Sequence, residues 1–221
     1  MLHLLLVASL QSLAAAAEPV IGASAPIRVL LVIRPSDAMP TPTTGMRKEV
    51  ERIWRSAGVQ FTWTDRLPRS EPTVDRVIAI DVRDADPGRD GLPLHALGGV
   101  PKVQGRMRQI IYVSPTAVKQ LLVTAGVLPL DGQFASTYAR TVGRVIAHEL
   151  GHLLLNASEH RNSGLMRQSF VALDVLSTDA SRFALGRDEV VVIHDRVATA
   201  RRVGDTSGAE VALLEALPRR R

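Results

Sequence analysis

The segment from Gln133 to Leu155 constrains this chain more than any other. Val142, Ile146, Leu150, Leu153 and Leu154 recur at helical spacing and predict one long helix with a core-facing stripe. His148 and His152 sit four residues apart beside that stripe, with Glu149 directly after the first. Side chains at i and i+4 lie on one face, one turn apart. Two imidazoles so placed can share one metal ion, and the neighbouring carboxylate can reach a water on it. The fold must therefore leave a groove along one edge of this helix.

Composition narrows the metal chemistry. The chain has 221 residues and no cysteine, so disulfides and thiolate sites are excluded and any metal must use His, Asp or Glu. That length suits one domain with a proper core. The formal charge is +5 and the pI about 10.4, yet the basic residues are scattered except at Arg201-Arg202 and Arg219-Arg220-Arg221. Nucleic-acid binders carry denser basic stripes with interleaved aromatics, so no nucleic-acid partner is expected.

The first residues, Met1 to Leu10, are an apolar run, followed by an alanine tract ending at Ala17. Ala15 and Ala17 fit a small-residue cleavage site before Glu18, so residues 1–17 read as a signal peptide. The run is too short to span a bilayer, and no stable membrane insertion is expected. Secretion or a periplasmic location in a bacterium follows. Residues 18–203 then form the domain and 204–221 a basic tail, with the oligomeric state open.

Four segments predict strands: Pro26–Ile33, Gln60–Thr64, Arg76–Val82 and Gln109–Val113. Met46–Ala57 predicts a helix ended by Gly58. Pro115–Thr124 predicts another, with Ser114 as N-cap and Pro115 in the first turn. Asp188–Ala200 predicts a C-terminal helix containing His194. Leu97 to Pro101 reads as a glycine-bearing bend, and His95 beside it as a loop histidine first and a cleft-lining one second. The fold class is α+β: a small mixed twisted sheet packed on helices, with the long helix as the floor of a groove.

A third metal ligand must come from beyond the helix. His160 follows His152 by eight residues, and a continuous helix would carry it ~12 Å along the axis, too far to share the ion. The chain must leave the helix near Asn156 and Ser158 and fold back. Glu159, Asp174 and His194 are the rivals of His160. Gly151 marks either close approach of another backbone or a tolerated helix glycine that costs ~1 kcal/mol. Ser163-Gly164-Leu165-Met166 is a tight-turn candidate.

Together His148-Glu149-Leu150-Gly151-His152, His160 and Ser163–Met166 resemble the active site of zincin-type metalloproteases, of the metzincin kind. The resemblance implies Zn2+ held by His148, His152 and His160, Glu149 as general base, and Met166 as the methionine turning beneath the metal. The usual metzincin spacing would put the third histidine at Ser158, so His160 comes two residues late, and no tyrosine follows Met166. The implied activity is a zinc endopeptidase acting on a peptide or protein. The peptide would lie extended in the groove and pair with the edge of Gln109–Val113. Two other functions stay open: a catalytically silent metal-binding scaffold, and a zinc amidase acting on cell-wall peptides.

Overall fold

The computed structural model describes residues 25–34, 44–66, 73–84, 91–93, 95–171, 174 and 176–204. The proposed signal peptide and the tail beyond Gly204 lie outside the described residues.

Five strands form one sheet: β1 (Ile27–Arg34), β2 (Val59–Thr64), β3 (Arg76–Val82), β4 (Gly98–Gly99) and β7 (Ile110–Val113). The spatial order is β2-β1-β3-β7-β4. Every pairing is parallel except β4 on β7, which is antiparallel with Gly98 opposite Val113 and Gly99 opposite Tyr112. A separate hairpin pairs β5 (Lys102–Val103) with β6 (Arg106–Met107). The helices are α1 (Thr44–Trp54), α2 (Pro115–Thr124), α3 (Phe134–Leu155) and α4 (Arg187–Val203). The protein is thus a mixed α/β domain whose mostly parallel sheet packs against helices.

The unbroken apolar run of β1 reflects burial on both faces, as in parallel sheets. Val29, Leu31 and Ile33 face a core shared with α1 and α3, while Leu30 and Val32 face a second cluster with Val77, Ala79 and Ile110. The period of two divides the strand between these layers.

Helix α3 is more deeply set than an apolar stripe requires. It is buried from Thr137 to Leu154 with Arg140 half-buried, so the helix has no solvated face along this stretch. The reason is that α1 and the sheet pack on one side while the chain after Leu155 returns along another. Trp54 of α1 donates its indole N–H to the Ala147 carbonyl at 3.3 Å, and Glu49 of α1 binds Arg144 of α3 at 2.7 Å. These ties hold α3 directly before and one turn before His148.

The Leu97–Pro101 bend differs from expectation, because it contains the edge strand β4. Its glycines are what admit it: a Cβ on Gly98 would meet the Tyr112 carbonyl oxygen at 2.9 Å and crowd Val145 of α3. The consequence reaches the site. Strand β7 is paired on both sides, by β3 and β4, so no peptide can add to it. Among the described residues, the sheet edge beside α3 belongs to Gly98 and Gly99.

Candidate metal centre

Helix α3 ends where the sequence allows it to. Asn156 takes the left-handed conformation at φ 48° and ψ 44°, and Ala157 donates its N–H back to the His152 carbonyl. The chain then reverses, and His160 returns to the two helix histidines. His148, His152 and His160 each offer one ligand atom, and these atoms lie within 4.8 Å of one another. The His160 ring lies parallel to His148 with centroids 5.3 Å apart, and edge-on to His152 at 4.9 Å.

Two main-chain carbonyls orient the helix histidines. Nδ1 of His148 lies 2.7 Å from the Leu165 carbonyl oxygen, and Nδ1 of His152 lies 2.7 Å from that of Ala157. A carbonyl only accepts, so each Nδ1 carries the proton and donates. Each Nε2 is left with a lone pair, and the two Nε2 atoms face each other at 3.1 Å. Two acceptors at that separation repel unless a cation or a proton lies between them. Burial, with the neighbouring His152, His160 and Arg167, pushes His148 down to about 4. Burial also lowers His152. A proton is therefore disfavoured at neutral pH, and the pair fits a shared metal ion whose ligands are neutral imidazoles fixed by outer hydrogen bonds.

Glu149 is 7% exposed and lies against β4, with its Cγ 3.4 Å from the position of a Cβ on Gly98. Burial pushes its carboxyl up to about 8. A cation beside it would favour the ionised form again.

The turn at Leu165–Met166 serves the site through both residues. Leu165 supplies the carbonyl for His148, and Met166, 1% exposed, packs its sulfur on Gly151. Any side chain at Gly151 would collide with that sulfur. The close approach to Gly151 is thus real, but a side chain makes it rather than another backbone. The turn is fixed by Arg161, which donates its N–H to the Met166 carbonyl at 2.7 Å, and by Leu165, which donates to Ala184 at 3.1 Å.

The rivals of His160 stand elsewhere. His194 donates from Nε2 to the Ala57 carbonyl at 2.8 Å, tying α4 to the end of α1. Asp174 is 2% exposed and paired with Arg167 at 2.9 Å and Arg182 at 3.2 Å. Those guanidiniums, after a backbone N–H bond from Val171, hold its carboxyl below the usual range against the cost of burial. Glu159 is exposed on the return loop and outside the three-histidine group.

A cleft of about 1160 Å³ opens in front of these residues. Leu97, Val100, Met107, Leu121 and Phe170 give it apolar walls, and Gly98 and Gly99 give it a backbone edge. His95, in a turn before β4, lines it too.

Arg144 escaped the reading of the sequence. It is 2% exposed, lies one turn before His148, and binds Glu49 together with the carbonyls of Asp174 and Ser177. It thereby joins α1 to the segment that returns past the cleft. Its signal was its place in the row Arg144, His148, His152 at intervals of four.

No family model matches the chain, and no curated protein matches it. Among solved structures it is similar to the crystal structure of an archaemetzincin from Methanopyrus kandleri, at 17% identity, over 81% of this chain and 99% of that one, with a TM-score of 0.48.

Proposed function

We propose that this chain is a zinc-dependent peptidase. The observation that carries the reading is the facing pair of Nε2 atoms, each ring held by a carbonyl at its other nitrogen, with a buried Glu149 beside them and a cleft in front. His148, His152 and His160 would hold the ion, which three protein ligands leave open to water. A zinc ion held there would supply a water of pKa near ~7 and a Lewis acid for a substrate carbonyl.

The remaining steps belong to the chain. Glu149, ionised beside a bound cation, accepts the proton of the attacking water and passes it to the leaving amine. Gly98 and Gly99 carry no side chains to hold off an extended peptide, so the substrate backbone lies along β4. The apolar walls take its side chains. A catalytically silent scaffold would have no use for a buried carboxyl at this place. Export belongs to the same reading, and sequencing the mature N-terminus checks it by a start at Glu18.

Zinc-loaded protein incubated with a peptide library tests the proposal. Glu149→Gln keeps its zinc and loses roughly 10²–10⁴-fold in turnover. Undiminished activity in that variant would remove Glu149 from the chemistry.

A further inference from the structure

The hairpin that follows β4 has a register with consequences for substrate choice. Gln104 and Gly105 both have positive φ, at 51° and 77°, as a two-residue turn matching the twist of its strands requires. The turn sets Lys102 opposite Met107 and Val103 opposite Arg106. Directly opposed side chains share a face. Lys102 and Met107 both line the cleft, whereas Val103 is 50% exposed on the other face with Arg106. Arg108 donates its N–H to the Pro101 carbonyl at 2.9 Å and closes the base of the hairpin.

The charges of the cleft are few. Arginine dominates the basic residues of the chain, yet none lines the cleft among the described residues, and Lys102 is its lysine. Asp84 is engaged by the Ser114 hydroxyl at 2.7 Å, the Thr116 hydroxyl at 2.7 Å and the Thr116 N–H at 3.1 Å. Glu149 belongs to the chemistry proposed above. Lys102 pairs with no carboxylate among the described residues and lines the same cleft as His148, Glu149, His152 and His160. Glu159 is exposed on the return loop and does not line the cleft.

We propose that Lys102, held over the cleft by the β5–β6 register, selects peptides that carry a carboxylate close to the scissile bond. The carboxylate is an acidic side chain or a free C-terminus; a lysine ammonium on its flexible stem serves either as a point charge. The inference rests on the peptidase reading and makes Lys102 a determinant of substrate choice.

The test is binding to zinc-loaded Glu149→Gln protein at low salt. The probes are fluorescein-labelled ten-residue Ala/Gly peptides bearing one glutamate at successive positions, their glutamine twins, and free-acid and amidated C-termini. A charged peptide binds about fivefold more tightly than its neutral twin, and salt weakens the difference. Lys102→Met erases the preference and Lys102→Glu turns it toward lysine-bearing peptides, each read as the affinity ratio of charged to neutral twin within one protein. A preference at one internal position identifies a side chain; one for the free acid over the amide identifies the chain end. No charge preference, or one that survives Lys102→Met, overturns the proposal. Charge-dependent binding without hydrolysis by the wild type would sink the peptidase reading alone. Hydrolysis without charge dependence would sink the role of Lys102 alone.

Discussion

His148 and His152 are 6% and 7% exposed, and each has Nδ1 tied to a carbonyl, whereas His160 stands exposed on the return loop with no ring hydrogen bond among the described residues. The same side chain is thus presented in two ways. The helix pair is oriented by the core before any ligand arrives. The loop histidine is brought near by the chain path from Asn156 and by the turn at Leu165–Met166, and binding itself must fix its ring. Rigid placement of two ligands lowers the ordering cost of the third.

The largest expected effect breaks the rigid half. Arg144→Met removes the buried partner of Glu49 and leaves the Asp174 and Ser177 carbonyls without their donor. Glu49 keeps Arg52 at 2.7 Å, so the loss is ~3 kcal/mol, at the lower end for breaking a buried pair. Denaturant unfolding measures it. A change below ~1 kcal/mol would mean that the floor under the histidines does not depend on this tie.

A pH titration of the metal-free protein reads the buried state of His148. His148 is held near 4 against an ordinary 6.5, so the unfolded chain takes up the proton first as pH falls. The contribution of the neutral ring to stability is complete above about 6.5 and is lost progressively down to about 4. His148→Gln flattens this part of the stability profile. An unchanged profile would show that burial does not keep the ring neutral.

The smallest effect concerns the sulfur under the helix. Gly151→Ala gains helix propensity of ~1 kcal/mol but forces Met166 away, at ~1–3 kcal/mol. The single variant is destabilised by ~1 kcal/mol, and the same change in a Met166→Ala background is neutral or stabilising. Additive effects in this double-mutant cycle would deny the contact.

Much of this was legible in the sequence because local rules decided it. β3 and α2 have the predicted ends, and Ser114 accepts the Ala117 N–H at 3.1 Å as an N-cap should. The break after Leu155 followed from the distance argument for His160 and from the tolerance of Asn156 for left-handed backbone. What stayed hidden depends on pairing between distant segments. Two glycines gave no strand signal, yet Gly98 and Gly99 become an edge strand because β7 and α3 leave room only for a backbone. No local rule marks Arg144 as buried, because its burial depends on Glu49, 95 residues away. Asp174 resembled a ligand in composition, but two arginines claim it.

The most direct measurement is zinc content by elemental analysis of the purified full chain after reconstitution and dialysis, for wild type, His148→Ala and His160→Ala. One zinc per wild-type chain is expected, none in His148→Ala, and a weakened, partly occupied site in His160→Ala. A wild type that retains no zinc, or a His148→Ala variant that keeps a full equivalent, would contradict the three-histidine site.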